Sequence, residues 1–297
     1  MFSVITPSFN QGQYIERTIL SVLNQGNATF KYNVFDGGSK DDTVEILRRY
    51  GDRLSFVSEP DGGQAAAVNR GLAAADGDII AWLNSDDIYY PGAFQAVAEI
   101  FERHPEVDFV YGEASHIDPA DAVMERYYTE AWNPERLRDV CFLCQPAVFF
   151  RRRVVDRIGP LNSTLRFCMD YEYWLRAAQA GCVFHHTSAH LAGSRMYPEN
   201  KTLANRVAVH GELNSMLRQR LGRVPARWLS NYAHAVADAR GIERQDHARF
   251  VKHLTLHLIY ADLRWNRGLG KEVRGLIREW NGPLIGKYPL LGKLLRD

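Results

Sequence analysis

Residues 59–87 read EPDGGQAAAVNRGLAAADGDIIAWLNSDD: a polar loop, a helical segment, an apolar run and a second polar loop. The alanine-rich stretch 64–75 is typical of a helix. Segment 78–83 is almost continuously apolar, as in a strand buried on both faces of a parallel sheet. Two carboxylates, Asp86 and Asp87, follow that strand directly. This order predicts an α/β fold with a polar site at the carboxyl end of the strand.

The same alternation continues on both sides of this stretch. Apolar runs predict further strands at 2–6, 33–35, 54–58, 107–111, 147–150 and 182–186. Apolar periodicity predicts further helices at 15–23, 42–50, 93–103 and 170–180. Polar segments, the first three of which contain glycine, fall where the first four strands end, at 8–12, 36–39, 59–64 and 84–87. We therefore expect a single Rossmann-like domain with a mostly parallel central sheet and ligands at one edge of it.

The sequence changes in texture near residue 204, where helical segments rich in Arg, Leu and Ala begin. They are interrupted near Pro225, Gly241, Gly268 and Pro283. The net charge of +1 divides unevenly, with a balance of −8 in residues 1–204 and +9 in residues 205–297. We expect a domain over 1–204 and a basic helical region over 205–297. That region either attracts an anionic partner or is an ordinary solvated helical surface.

Composition and missing motifs exclude several classes of protein. With 297 residues, 46% hydrophobic and 24% charged, the chain has ordinary globular composition. No apolar run approaches the roughly 20 residues of a membrane span, and no secretory signal is visible, so we expect a cytoplasmic chain. Motifs of dinucleotide-binding, P-loop, α/β-hydrolase and zincin sites are absent. The four cysteines, including the Cys141-x-x-Cys144 pair, are expected to be buried thiols.

The segment Asn84-Ser85-Asp86-Asp87 carries the clearest chemistry. Carboxylates after a buried strand lose solvation and repel each other unless a cation or ligand balances them. A hard divalent ion, held by one or two carboxylates and by substrate phosphate oxygens, is the usual solution. A turn or a helix N-cap is the alternative, because Ser and Asp serve in both.

Four motifs together resemble the family 2 glycosyltransferases, inverting enzymes of the GT-A fold that use nucleotide-diphospho-sugars. They are ITPSFNQGQYIERTILSVLNQ (5–25), DGGSKDDT (36–43), the stretch 59–87 and MDYEYWLRAAQAG (169–181). The resemblance covers roughly residues 2–202 and implies a GT-A-like domain. Residues 205–297 lie outside it.

The resemblance also implies binding roles. The predicted nucleotide-sugar-binding residues are Thr6, Pro7, Ser8, Phe9, Asp36, Gln64, Asn69, Asn84, Ser85 and Arg195. Asp86, with Asp87 compensating for the Asn at position 84, is predicted to bind a divalent metal ion, Mn²⁺ or Mg²⁺. Other interpretations stay open: a core aromatic for Phe9, a turn former for Asp36, and ordinary helix-surface residues for Gln64 and Asn69.

Asp170 matches the catalytic base of the family. An inverting transfer needs one carboxylate to take the proton of the acceptor hydroxyl. An N-cap role for Asp170 is the alternative, and Glu172 is a rival for the base. The His that relatives carry further along is missing; Arg195 stands in that segment, and Tyr197 lies nearby.

The sequence thus predicts a metal-dependent inverting glycosyltransferase. Its donor would be a UDP- or dTDP-sugar and its acceptor a glycan or a polyprenyl-linked molecule; nucleic acid is not expected as a partner. A non-catalytic nucleotide- or glycan-binding module and a sugar-nucleotide pyrophosphorylase are the alternatives. The C-terminal region would either lie on an anionic surface, the inner face of the plasma membrane, or form a homodimer. Apolar patches at 265–269 and 288–295 are candidate anchors.

Overall fold

A computed structural model describes residues 1–26 and 28–285 of the chain. The chain divides into two compact units, with the boundary between Asn200 and Lys201. Each unit has its own buried core. Within the described residues, no helix is both long enough and apolar enough to cross a membrane.

The first unit combines one large sheet with helices. Its strands are β1 (Phe2–Ser8), β2 (Phe30–Asp36), β3 (Ser55–Ser58), β4 (Ile79–Trp82), β5 (Ile88–Tyr89), β6 (Phe109–Ile117), β7 (Val123–Arg126), β8 (Val148–Arg151) and β9 (Phe184–Arg195). Its helices are α1 (Ile15–Leu23), α2 (Thr43–Arg49), α3 (Gln64–Ala74), α4 (Ala93–Arg103), α5 (Pro134–Asp139), α6 (Arg153–Ile158) and α7 (Met169–Gln179). A short 3₁₀ helix spans Gln145–Ala147.

The sheet has the strand order β3-β2-β1-β4-β8-β6-β9-β5, with β7 paired to β6. The four strands β3, β2, β1 and β4 are parallel, as expected from their helical crossovers. β8 lies antiparallel between β4 and β6, and β6 pairs with β9 in parallel. The α/β prediction is confirmed.

Strand register brings the polar segments to one edge of the sheet. In the β1–β2 ladder Ser8 lies opposite Asp36, so both strands end together. A Cβ built on Gly71 would lie 2.3 Å from Cγ2 of Ile5, which means that α3 packs on β1 closer than any side chain would allow. This close approach fixes the first residue of α3, Gln64, relative to the end of β1.

The structure differs from the predicted elements mainly after residue 111. β9 extends to Arg195 rather than ending near 186, and β5, β7, α5 and α6 have no counterpart in the prediction. The second half of β9 contains small and polar residues, among them Ser188 and Gly193, that give no apolar alternation. Pairing with β6 and β5, which lie far away in sequence, forms this part of the strand.

The second unit is helical. It contains α8 (Lys201–Ala204), α9 (Arg206–Leu221), α10 (Ala226–Ala239), α11 (His247–Asn266) and α12 (Lys271–Ile285). The predicted breaks near Pro225, Gly241 and Gly268 separate helices, whereas Pro283 lies within α12. Trp265 is buried and donates to Ser215 at 3.0 Å, so the 265–269 patch does not offer that ring to a partner. The patch 288–295 lies outside the described residues.

Candidate active site

Asn84 is the centre of a hydrogen-bond network just after β4. Its side-chain oxygen accepts from Gln64 at 2.8 Å and from the Trp82 indole at 3.0 Å. Its amide nitrogen donates to Gln145 at 2.8 Å and to Asp87 at 3.3 Å. All four hydrogen-bonding positions of this amide are therefore used within the protein. Asn84 holds the loop rigidly and joins α3 to the 3₁₀ helix.

Asp86 faces a tyrosine on the segment after β9. The hydroxyl of Tyr197 donates to the Asp86 carboxylate at 2.8 Å and accepts from the Gln11 amide at 3.3 Å. Burial raises the pKa of Asp86, and the hydrogen bond from Tyr197 opposes that rise. The side-chain oxygen of Gln11 is buried and finds no hydrogen-bond partner among the described residues. Gln11, Tyr197 and Asp86 thus form one hydrogen-bonded chain.

Asp87 lies deeper than Asp86, with a relative exposure of 4%. One carboxylate oxygen accepts the backbone N–H of Arg195 at 2.9 Å, and the other accepts the Asn84 amide. Burial and the neighbouring Asp86 charge raise the pKa of Asp87. Both oxygens are engaged in fastening β9 to the loop after β4, which favours a structural role for Asp87.

The Arg195 side chain is fully buried, with 0% exposure. Its guanidinium donates to the backbone oxygens of Asp86 at 2.7 Å and Asp118 at 2.9 Å, and it forms an ion pair with Asp121 at 2.5 Å. It also lies over the Tyr14 ring at 4.8 Å. The structure therefore places Arg195 beneath the 84–87 loop rather than in the open position expected for a residue that contacts a diphosphate.

The site offers few protein ligands to a divalent cation. Among residues 1–26 and 28–285, no group of three or more His, Cys, Asp or Glu side chains is arranged to hold a metal. A hard cation needs only one or two protein carboxylates when substrate phosphates and water complete its shell. Asp86 fits that sparse arrangement, and Gln11, which has a buried oxygen without a hydrogen-bond partner among the described residues, is linked to it through Tyr197.

Asp170 lies half-buried in the first turn of α7. The N-cap of this helix is Cys168, so the alternative N-cap role of Asp170 is wrong. A carboxylate in the first turn is stabilised by the positive end of the helix dipole. Glu172, the rival candidate for the base, is 1% exposed and forms an ion pair with Arg176 at 3.0 Å. This pairing gives Glu172 a structural role.

The segment 141–145 contains two cysteines whose pKa values are raised by burial and by carboxylate charges. Burial raises the pKa of the Cys144 thiol, and the charges of Asp87 and Asp170 raise it further. Burial and the Asp170 charge likewise raise the pKa of Cys141. Cys144 is buried as expected and Cys141 is partly exposed, both as free thiols. Gln145, which ends this segment, accepts from Asn84 at 2.8 Å, so the segment is joined to the loop after β4.

The ends of β1 and β2 form a second part of the site. Phe9 is 59% exposed, so the alternative interpretation of Phe9 as a core aromatic is wrong. Its ring borders Gly37. Thr6, Pro7 and Ser8 are all buried; Thr6 lies 3.2 Å from the Tyr32 hydroxyl. The Ser8 hydroxyl is buried without a hydrogen-bond partner among the described residues. An exposed ring next to an unsatisfied hydroxyl suits a planar polar ligand.

Asp36 forms the turn after β2. Its carboxylate accepts the backbone N–H groups of Gly38 and Ser39 and the hydroxyls of Ser39 and Ser58, at 2.5–3.1 Å. At 2% exposure, this side chain acts as a turn former in the structure. Its acceptor positions are largely used by the chain itself.

The remaining predicted binding residues are Asn69, Ser85 and Gln64. Asn69 exchanges hydrogen bonds with the backbone of Leu161, at 2.9 Å and 2.8 Å, and so joins α3 to the loop before α7. Ser85 is 4% exposed. Gln64 contacts the site through Asn84.

With the fold and the site described, the sequence can be compared with known families, and it matches one of them over more than half of its length. The profile of Glycosyl transferase family 2 matches residues 3–159. The chain belongs to this family. The identification drawn from the four motifs is therefore confirmed, and with it the class of enzyme, a glycosyltransferase.

Relatives of this glycosyltransferase differ in how much they share with it. An uncharacterized glycosyltransferase of Rickettsia felis is 24% identical over 83% of this chain. A PGL/p-HBAD biosynthesis glycosyltransferase of Mycobacterium tuberculosis is 30% identical over 59% of it. This chain spans 40% of the length of the first relative and 69% of the second.

Two solved structures share the fold. S. aureus TarS 1–349 in complex with UDP-GlcNAc aligns with a TM-score of 0.61 at 16% identity, over 99% of this chain and 88% of that one. The mannosyltransferase PcManGT of Pyrobaculum calidifontis, in complex with GDP-Man and Mn²⁺, aligns with a TM-score of 0.59 at 18% identity, over 99% and 84%. The GT-A-like fold with C-terminal helices is confirmed.

Three side chains of the site have no role predicted from the sequence, although Tyr197 is noted there as a neighbour of Arg195. Gln145, Gln11 and Tyr197 all hydrogen-bond to the 84–87 loop or to its partners. Gln145 lies in an apolar segment, where a lone polar side chain is itself a signal, because a buried amide needs partners. The other two carried no local pattern that distinguishes them from surface residues.

Proposed function

We propose that this chain transfers a sugar from a nucleotide-diphospho-sugar to a hydroxyl of a glycan or lipid-linked acceptor, with inversion at the anomeric carbon. The observation that carries the proposal is the match of residues 3–159 to Glycosyl transferase family 2, in a chain with Asp86 on the loop after β4 and a half-buried Asp170 on α7. In this proposal the two carboxylates belong to a single site, Asp86 on the donor side and Asp170 on the acceptor side. The TarS and PcManGT structures, which hold UDP-GlcNAc and GDP-Man, support a nucleotide-sugar donor such as a UDP- or dTDP-sugar.

In this proposal the nucleotide lies at the ends of β1 and β2. The exposed ring of Phe9 stacks on the base, and the Ser8 hydroxyl gains the partner that it lacks within the protein. Asp36 supports that surface by fixing the 36–39 turn. Gln64 and Asn84 hold the donor loop in place rather than contacting the sugar directly.

Asp170 is the proposed catalytic base. It accepts the proton of the acceptor hydroxyl while that oxygen forms the new bond to the anomeric carbon and the bond to the diphosphate breaks. The proton ends on Asp170, and the nucleoside diphosphate leaves with the bonding electron pair. One carboxylate is sufficient, because a single displacement has no covalent intermediate.

Asp86 is the proposed ligand of a divalent cation, Mn²⁺ or Mg²⁺. When bound, such an ion supplies positive charge to the leaving diphosphate. Mn²⁺ in the PcManGT structure supports a metal in this chain, and Tyr197 would orient Asp86 toward it. Asp87, which the sequence offered as a second ligand, is proposed instead to anchor the loop.

The C-terminal region keeps the two roles expected from its charge, attachment to an anionic membrane surface or dimerisation. A cytoplasmic location on the inner face of the plasma membrane stays a prediction of the sequence.

A thermal-shift panel of UDP, dTDP, GDP and CMP, each with and without Mn²⁺ or Mg²⁺, tests the donor class. A ligand at about 100 times its dissociation constant adds about 2.7 kcal/mol of stability to the folded state. We expect one nucleoside diphosphate to raise Tm only when metal is present. If none does so under any condition, the nucleotide-sugar assignment is contradicted.

A further inference from the structure

One face of α11 (residues 247–266) is apolar yet exposed. Leu256, Tyr260 and Leu263 are 53%, 47% and 52% exposed. The opposite face contributes Leu254, Leu258, Ala261 and Trp265 to the core of the helical unit. Large aliphatic and aromatic side chains at this exposure are ordinary when single, but three along one helix face indicate a contact surface.

Basic residues extend this face at both ends. Arg249 and Lys252 precede the three apolar residues, and Arg267 follows them at the C-cap; all three cations are exposed. Steps of three or four residues keep the whole series on one side of the helix. At 1.5 Å per residue, the series is about 27 Å long. We name these six residues the α11 stripe: Arg249, Lys252, Leu256, Tyr260, Leu263 and Arg267.

The α11 stripe contains no acidic residue. Within α11, every residue of which is described, the single carboxylate is Asp262, which is 0% exposed and accepts from Asn266 and from the Gly270 N–H. The Asp246 carboxylate caps the start of the helix through the Arg249 N–H. Arg264 adds a further exposed cation beside the stripe.

This charge pattern decides between the two occupants that an apolar helix face could have. A second copy of α11 in parallel would place Arg249 and Lys252 against themselves. An antiparallel copy would place them against Arg267. Either arrangement brings cations together as the apolar residues meet, and like charges across an interface oppose association. A surface of negative charge with an apolar interior can contact both parts of the stripe, because its charge attracts the cations and its interior accepts the apolar side chains.

We propose that the α11 stripe binds the surface of an anionic lipid membrane. Leu256, Tyr260 and Leu263 enter the boundary between headgroups and acyl chains, while the flanking cations contact the headgroups. The biological purpose of this binding rests on the proposed function, because membrane binding would bring the enzyme to lipid-linked acceptors. Vesicle binding itself needs neither donor nor transfer.

Vesicle flotation of the full chain tests the stripe. Vesicles of phosphatidylglycerol and phosphatidylcholine in equal parts are compared with pure phosphatidylcholine. We expect binding to the anionic vesicles that weakens as salt is raised. Each exposed cation near the surface contributes about fivefold to partitioning, so Arg249→Gln with Lys252→Gln is expected to weaken binding roughly 25-fold.

The matched apolar variants are Leu256→Ser with Leu263→Ser on the stripe and Val123→Ser with Met124→Ser on β7. The β7 pair is exposed to a similar degree, 57% and 61%. Only the stripe variant is expected to lose binding, at an unchanged Tm. Equal binding to both vesicle types, equal loss in both variants, or a dimer that the stripe variant abolishes without any vesicle binding would overturn the proposal. A chain that floats but releases no nucleotide from donors contradicts the proposed function alone.

Discussion

The hydroxyl of Tyr197 donates a 2.8 Å hydrogen bond to the carboxylate of Asp86, across 111 positions of sequence. Tyr197 is 7% exposed and packs on Tyr14, with ring centroids 4.8 Å apart. A buried carboxylate keeps its charge more easily when such a donor is present. The tyrosine therefore acts on any cation through Asp86, as a positioning residue.

Replacing Tyr197 with Phe keeps the ring and removes the donor. We expect metal-dependent nucleotide affinity to fall about tenfold, because loss of a partner that orients a ligand typically costs 10–100-fold in metal affinity. Calorimetric titration of the nucleoside diphosphate, with and without Mn²⁺, measures it. Tyr128→Phe, at a 55% exposed tyrosine paired with Glu130, is the control. Equal affinities in all three proteins would remove Tyr197 from the site.

Asp86 and Asp87 are expected to have different roles, Asp86 as a metal ligand and Asp87 as the residue that anchors the 84–87 loop. Asp87→Ala leaves the buried N–H of Arg195 and the Asn84 amide without an acceptor. Each unsatisfied buried group costs about 1–3 kcal/mol, so the free energy of unfolding should fall by about 3 kcal/mol. Asp86→Ala should instead abolish the Mn²⁺ dependence of nucleotide binding. Urea unfolding and titration of both variants test this; an Asp87→Ala protein of normal stability without a metal response would reverse the assignment.

Glu172 should matter for stability rather than for proton transfer. Glu172→Gln breaks a buried pair with Arg176, and removal of one partner from such a pair costs about 3–5 kcal/mol. The exposed pair Glu99–Arg103 has the same helical spacing and a similar length of 3.2 Å, and Glu99→Gln should cost less than about 1 kcal/mol. Urea unfolding compares the two. A Glu172→Gln chain with normal stability and no turnover would make Glu172 the base.

His210 on α9 makes stability depend on pH. Burial, with a smaller contribution from Arg206, lowers the pKa of His210 to about 4. Between about pH 6.5 and 4 the unfolded chain binds this proton and the folded chain does not, so stability falls as the pH falls through that window. With a discount for partial exposure, the loss is on the order of 1–2 kcal/mol. Tm measured against pH should show a flatter profile for His210→Gln; an unchanged slope would exclude His210.

The parallel half of the sheet was predictable because its signals are local. Buried strands such as β4 read as apolar runs, and α3 reads as an alanine-rich helix with a polar loop before it. The position of Asp86 after β4 followed from that pattern alone. Motif order then extended the prediction from one strand to the family.

The remaining part of the site depends on pairings that no local pattern contains. The sequence predicts Arg195 as a nucleotide-sugar-binding residue, yet the second half of β9 carries it into the interior, where Asp121 compensates its charge. Gln145 reaches Asn84 across 61 positions. These contacts depend on the antiparallel insertion of β8 and on the length of β9, which the composition of neither strand reveals.

Release of nucleoside diphosphate by Asp170→Asn, compared with the wild-type chain, measures whether Asp170 is the catalytic base. The donor is the sugar form of whichever nucleotide raises Tm, supplied with Mn²⁺ and with glycan or polyprenyl-linked acceptors. General base catalysis contributes about 10²–10⁴-fold, so we expect a loss of at least about 100-fold in kcat with donor affinity nearly unchanged. Turnover close to that of the wild-type chain would contradict Asp170 as the base and would place the proton acceptor elsewhere.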